Sequence, residues 1–130
     1  MTSTPVAVTH SIPVGSQPES MMLTPNERTL VVSLRGAPAS LAFVDTRTLT
    51  AFPLVRLGPE DTSTGDLAVM TQNGHFVYAT YDNNIAGTGG VAVVDVRTRE
   101  VVDRWHYPTT GRPHGLWYSK RTPRNSVAGR

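Results

Sequence analysis

The chain has 130 residues, no cysteine and a hydrophobic content of 38%. The absence of cysteine excludes disulfides and thiolate metal sites, and the length suits one domain. The formal net charge of +2 conceals a slightly acidic body, because residues 1–119 hold eight arginines against ten acids and residues 120–130 hold four basic residues.

The sequence contains no feature of a membrane or nucleic-acid protein. The N-terminus lacks the basic and apolar regions of a signal peptide. No apolar run approaches the ~20 residues that a membrane-spanning helix needs. The basic residues of 120–130 are accompanied by neither a basic stripe nor an aromatic platform. We therefore expect no membrane partner, no nucleic-acid partner, no cofactor and, by default, a cytoplasmic location.

Short strand-like segments separated by turn residues occupy the first half of the chain. No segment has helical periodicity. The predicted strands cover residues 6–12, 19–24, 29–33, 41–45 and 49–56. Pro53 places the last of these strands at a sheet edge, because proline cannot donate a ladder hydrogen bond.

The same order of strands and turns returns in the second half. The predicted strands cover residues 66–70, 76–80, 91–95, 100–107 and 114–119. Asn73-Gly74 predicts a tight hairpin turn, and the glycine-rich residues 81–90 predict a long loop. Asp45 and Asp95 precede equivalent turns, where we expect their carboxylates to accept hydrogen bonds from turn amides.

Spacing shows that the two halves are copies of one unit. Thr24 and Asn26 recur 47 positions later as Thr71 and Asn73, and Asp45 recurs 50 positions later as Asp95. Four short strands in a period of roughly 40–50 residues are typical of a β-propeller blade. The fold prediction is an all-β, incomplete β-propeller covering residues 1–119. Its parts are blades at 19–56 and 66–107, flanking strands at 6–12 and 114–119, and a basic, disordered tail at 120–130.

Several short motifs occur in the order found in one known propeller family. They are Val14-Gly15-x-x-Pro18, Thr24-Pro25-Asn26, Asn73-Gly74-x-x-Val77-Tyr78, Val91-Ala92-Val93-Val94-Asp95 and Gly111-Arg112-Pro113-His114-Gly115. The chain resembles the YVTN-repeat (YncE-like) family and, more distantly, the lactonase-like seven-bladed propellers. It departs from the family pattern at Glu27, which replaces a turn glycine, and at Gly65, which replaces a proline. A ten-stranded antiparallel sandwich is the alternative fold, although the repeated Asp-x-Arg-Thr turn argues against it.

Glu19, Asp66 and His114 occupy the same position in successive copies, at the entry to the innermost strand. In a propeller these strands line the central channel, so the three side chains would converge on its rim. Two carboxylates and an imidazole could bind a divalent cation or act as acid and base. A structural role at the strand starts is the favoured interpretation, so we assign no catalytic, cofactor or metal residue.

Two functional classes follow from this pattern. The first is a non-catalytic scaffold that binds a protein or small ligand on the channel rim and self-associates through exposed blade faces. The second is part of a lactonase-like hydrolase with a metal-assisted site in the channel. The sequence has no G-x-S-x-G nucleophile elbow, which favours the scaffold. We expect Trp105 and Trp117 to be buried between blades.

Overall fold

The computed structural model describes residues 6–108, and every regular element in that range is a β-strand. The nine strands are β1 (Pro18–Leu23), β2 (Thr29–Leu34), β3 (Ser40–Asp45), β4 (Thr50–Ala51), β5 (Val55–Arg56), β6 (Thr64–Met70), β7 (Phe76–Asn83), β8 (Thr88–Asp95) and β9 (Glu100–Tyr107). They form two antiparallel sheets. The predicted all-β, partial propeller-like fold is confirmed.

The two sheets repeat one connectivity. In the first sheet β1, β2 and β3 are consecutive neighbours, and the short strands β4 and β5 both pair with β3. In the second sheet β6, β7, β8 and β9 pair in chain order. The single edge strand predicted for residues 49–56 is divided in two, because Pro53 lies between β4 and β5 and has no amide hydrogen for the ladder.

The long loop predicted for residues 81–90 is replaced by a hairpin. β7 continues to Asn83 and β8 begins at Thr88, so only four residues connect them. The side-chain oxygen of Asn83 accepts hydrogen bonds from the amides of Ile85 and Ala86, both at 3.0 Å. These bonds close the turn, in which Gly87 remains, whereas Gly89 and Gly90 pair within the sheet.

The predicted strand at residues 6–12 is wrong. These residues have no strand pairing, and the side chains of Val6 and Val8 are almost fully exposed. The first contact of this segment with the outer face of the first sheet that the structure gives is Val14, which packs against a buried cluster there. An isolated strand without a neighbouring edge has no ladder to join. The predicted strand at 114–119 and the tail at 120–130 lie outside the described residues.

The main hydrophobic core lies between the facing sides of the two sheets. It is formed by alternate residues of the central strands, which point to one face because side chains in a strand alternate. Buried residues from both sheets contribute: Val31, Leu41, Phe43, Val55, Val77, Ala79, Tyr81, Ala92 and Val94. β1 and β2 contact β6, and β5 contacts β9. The sheets therefore stack face to face, as neighbouring blades of a propeller do.

The repeat extends to individual hydrogen bonds at the first turn of each sheet. The Thr24 hydroxyl donates to the Asn26 side-chain oxygen at 2.8 Å, and Thr71 donates to Asn73 at the same distance. Gly74 has a positive φ of 76°, and the equivalent residue Glu27 has a φ of 61°. The same backbone turn is therefore built in both sheets, although only one of them uses glycine.

Candidate functional site

The inner strands carry two of the three predicted rim residues. Glu19 lies in β1, where its carboxylate is 3.6 Å from Nη1 of Arg35. Asp66 lies in β6 within an irregularity of the β6–β7 pairing. His114 lies outside the described residues, so the predicted convergence of the three side chains is untested. Among residues 6–108, no three His, Cys, Asp or Glu side chains are grouped closely enough to hold a metal ion together.

A cleft of about 660 Å³ opens between the two sheets at the end that carries the β1–β2, β3–β4, β6–β7 and β8–β9 turns. The turns of both sheets line it, so the cleft exists only because the two copies are packed together. Its volume falls within the range of roughly 300–1,000 Å³ that is typical of small-molecule sites. The cleft is therefore large enough for a ligand.

Positive charge is concentrated in this cleft. Four of its lining residues are arginines: Arg28, Arg47, Arg97 and Arg99. Residues 6–108 are acidic overall, with seven arginines against ten acids. Four of those seven arginines line this one cleft. Two aspartates also line it, which leaves an excess of two positive charges without counting His75.

The aspartates of the cleft are engaged by their own turns. The Asp45 carboxylate accepts hydrogen bonds from the amides of Arg47 at 2.8 Å and Thr48 at 3.2 Å. Asp95 accepts equivalent bonds from Arg97 at 2.9 Å and Thr98 at 3.0 Å. These backbone hydrogen bonds lower the pKa of both carboxyls below their ordinary value. The predicted structural role of the two aspartates is confirmed.

An aromatic surface lies beside the arginines. Phe52 and Phe76 line the cleft, and the Arg99 guanidinium carbon is 3.9 Å from the centroid of the Phe52 ring. A guanidinium at this distance is attracted by the ring quadrupole. Phe52 also packs against the main core. The contact therefore holds one arginine against a ring that is itself fixed by the fold.

A second polar cluster lies at the opposite end of the second sheet. The buried Tyr81 hydroxyl is hydrogen bonded to Nδ1 of His106 at 3.0 Å. Nε2 of His106 is 3.8 Å from the Glu60 carboxylate, which accepts a hydrogen bond of 2.9 Å from Thr88. Burial raises the pKa of the Tyr81 phenol. Tyr81 is therefore protonated at neutral pH and suited to hold His106 in place.

The outer face of the second sheet, turned away from the main core, carries aromatic and valine side chains together with Thr80, Asp82 and Asp103. Tyr78 and Trp105 stack on it with ring centroids 6.1 Å apart, and Val91, Val93 and Tyr107 lie on the same face by strand alternation. Trp105 is 45% exposed and Tyr107 is 47% exposed. The prediction that Trp105 is buried between the blades is therefore wrong within residues 6–108, whereas Trp117 lies outside them.

Comparison with solved structures supports the fold. The chain is similar to the hydrazine synthase of Kuenenia stuttgartiensis, a β-propeller-containing protein, with a TM-score of 0.64 at 18% sequence identity. The alignment covers 73% of this chain and 26% of that one, so this chain spans about a quarter of its length. At this identity the likeness concerns the fold alone.

No family model and no curated protein matches the chain. The described residues include no helix long and apolar enough to cross a membrane.

Sequence reasoning located the turns but did not identify the cleft that they form. The repeated position of Arg47 and Arg97 is visible in the Asp-x-Arg-Thr motif. Arg28 and His75 are also equivalent, each lying two residues after the turn asparagine. A search for charged residues at repeat-equivalent turn positions could have found the cleft. His106 lies beside Glu60, and these two residues adjoin only in the folded chain.

Proposed function

We propose that this chain is a non-catalytic β-propeller module that serves as a binding scaffold. It binds a further sheet of the same repeat through the outer face of its second sheet. The observation that carries this proposal is the stack of the partly buried Tyr78 ring on the exposed Trp105 ring. Exposed aromatic residues within a continuous apolar surface are characteristic of protein-binding faces.

The sequence of β8 supports this role. Val91, Ala92, Val93 and Val94 form an uninterrupted apolar run, whereas a strand with one wet face alternates apolar and polar residues. Ala92 and Val94 face the main core, whereas Val91 is only partly buried on the opposite side. A strand of this kind is suited to a sheet that is packed between two others.

The partner that best fits this face is another blade-like sheet. The first sheet already packs on the other side of the second sheet through valine, leucine and aromatic side chains. The outer face offers the same chemistry to the next neighbour. Propellers stack four to eight such sheets, and this chain supplies two described ones. We propose that the partner sheet comes from a second copy of the chain.

Sedimentation velocity over a wide concentration range tests this role. We expect the wild-type chain to associate reversibly and the Trp105→Ser variant to remain monomeric at the same concentrations. Ile85→Ser is the matched control, because Ile85 is 83% exposed but lies in the β7–β8 turn. A wild-type chain that is folded and monomeric at every concentration contradicts the proposal. Equal loss of association in both variants does so as well.

The alternative is a contribution to a lactonase-like hydrolase with a metal-assisted site at Glu19, Asp66 and His114. The ion pair between Glu19 and Arg35 favours a structural role for that carboxylate over metal binding. Isothermal titration of the wild type and the His114→Ala variant with a divalent cation such as Zn²⁺ tests this alternative. Binding heat that disappears in the variant supports the hydrolase. Absence of heat in both supports the scaffold.

A further inference from the structure

We propose that the cleft between the two sheets is a binding site for a small polyanion, a molecule that carries phosphoryl or carboxylate groups. This site is separate from the outer face of the second sheet, because it opens at the turn ends and on the side where the two sheets meet. Three observations support this site. The cleft has an excess of positive charge, three of its arginines form no ion pair with a described carboxylate, and both copies of the repeat contribute to it.

The arginines of the cleft are available for a ligand. Within residues 6–108 the ion pairs involve Arg35, Arg56 and His106, and none of these residues lines the cleft. The guanidinium groups of Arg28, Arg47 and Arg97 form no ion pair with a described carboxylate. Arginine in a water-accessible cleft binds phosphate and carboxylate oxygens through pairs of parallel hydrogen bonds.

The two carboxylates in the cleft offset only half of the charge of its four arginines. Asp45 and Asp95 point into their own turns, where each accepts two backbone hydrogen bonds. Those bonds hold both carboxylates in a fixed orientation. Arg28, Arg47 and Arg97 therefore remain available for a ligand, and the excess of two positive charges favours a ligand with at least two negative charges.

The repeat explains why the charges gather here. Arg47 and Arg97 are the same turn residue in successive copies, and Arg28 and His75 are a second equivalent pair. Each sheet thus contributes one member of each equivalent pair, and the packing of the two sheets brings the four residues to one cleft. A single sheet would present a scattered half of this set, so the site depends on both copies.

The aromatic surface offers a further contact to a ligand that also has a flat or apolar part. Phe52 and Phe76 lie among the charged groups, and Arg99 is held against the Phe52 ring. A ligand that places its anionic groups on the arginines can therefore lay its remaining surface on the phenylalanines. Phosphoryl and carboxylate groups can both bind the arginines, and titration with a probe of each kind separates the two.

Isothermal titration at low ionic strength tests the site with pyrophosphate and citrate as probes. We expect at least one probe to bind the wild-type chain, with a Kd that rises roughly tenfold or more in Arg28→Gln and in Arg97→Gln. Arg35→Gln is the matched control, because Arg35 pairs with Glu19 away from the cleft. The preferred probe identifies phosphoryl or carboxylate chemistry. Added salt should weaken binding, since most of these arginines are exposed.

Chemical-shift mapping on the wild-type chain provides a test that does not depend on the folding of a variant. Pyrophosphate should shift the amides of Asn26 and Asn73 and leave the β7–β8 turn, at the opposite end of the sheet, unchanged.

No binding of either probe overturns the proposal, as does equal weakening by Arg35→Gln. Tighter binding of a short oligonucleotide than of pyrophosphate overturns it in favour of nucleic acid. Trp105→Ser should leave pyrophosphate binding intact, which separates this site from the protein-binding face.

Discussion

The hydroxyl of Tyr81 reaches Nδ1 of His106 at 3.0 Å by passing over Gly90. Tyr81 pairs with Gly90, and Gly90 pairs with His106, so the three residues form one row across β7, β8 and β9. Their two aromatic rings are nearly parallel, with an interplanar angle of 14°. The missing side chain of Gly90 leaves the space in which the tyrosine ring bridges two strands that are not neighbours.

Removal of the Tyr81 hydroxyl should destabilise the fold. We expect Tyr81→Phe to lower the free energy of unfolding by about 1 kcal/mol, the usual contribution of such a hydrogen bond. For a domain of this size the melting temperature should fall by about 4–8 °C. Tyr78→Phe is the control, because the Tyr78 hydroxyl forms no hydrogen bond with another residue of the range 6–108. Equal melting temperatures for wild type and Tyr81→Phe would contradict the role of this bond.

A methyl group at Gly90 should also be unfavourable. A Cβ there would meet the Tyr81 hydroxyl and the carbonyl oxygen of Trp105. We expect Gly90→Ala to cost about 1–3 kcal/mol, as overpacking of a filled site usually does. Chemical denaturation measures this cost. The double variant Tyr81→Phe/Gly90→Ala should remain destabilised, because the contact with the Trp105 backbone persists, and full recovery in it would contradict this explanation.

Glu27 and Gly74 occupy equivalent positions in the first turns of the two sheets, but glycine at the first and alanine at the second should change stability in opposite directions. Glu27 adopts a φ of 61°, which is unfavourable for a residue with a side chain, so Glu27→Gly should raise stability by up to about 1 kcal/mol. Gly74→Ala should lower it, because the φ of 76° would be retained and the new Cβ would lie 2.5 Å from Cδ of Pro25. Thermal unfolding of both variants provides the comparison. A loss of stability in Glu27→Gly would show that its side chain outweighs the backbone strain.

Asp45 and Asp95 should make stability sensitive to acid. Their pKa values are lowered in the folded chain by turn amides. Their contribution is therefore complete above their ordinary pKa near 3.8 and is lost as the pH falls through the lower folded value. We expect the double variant Asp45→Ala/Asp95→Ala to be less stable at neutral pH. It should also lose less stability than the wild type between about pH 6 and pH 2 in thermal melts. Parallel pH profiles of the two proteins would contradict this assignment.

The segment before β1 should contribute to stability through Val14. Val14 packs against Val32, Leu34 and Ala42 on the outer face of the first sheet. We expect Val14→Ala to lower the free energy of unfolding by about 1 kcal/mol, since two partly buried methyl groups are removed. Val8→Ala is the matched control, because Val8 is 85% exposed. Equal stability of Val14→Ala and Val8→Ala would mean that the packing of Val14 on the first sheet does not stabilise the fold.

Local sequence patterns are enough to predict most of the fold. The turns at Asn26, Asp45, Asn73 and Asp95 have their structure because each side chain accepts hydrogen bonds from amides two or three residues later. Such contacts depend on neighbours in the chain alone. The strands between them follow from β-branched residues and alternation, so the repeat and the all-β class are evident from the amino-acid order.

The sequence-based predictions fail where a residue's environment comes from distant parts of the chain. The run of glycines at 87–90 suggests a loop, but pairing with β7 and β9 places Thr88, Gly89 and Gly90 in a strand. Residues 6–12 have a weak strand pattern but no neighbouring edge, and the face of the first sheet holds the chain through Val14 instead. Strand formation needs a partner, and a local pattern does not specify one.

The sequence by itself determined the repeat, the antiparallel hairpins and the turn chemistry, because these depend on residues close together in the chain. The tertiary structure alone decided how the two sheets face each other. That packing brings Arg28 and Arg47 of one copy to Arg97 and Arg99 of the other around one cleft. It also leaves Trp105 on an open face. The cleft thus arises from the stacking of the two copies, and the free energy of that stacking comes from apolar contacts across the core.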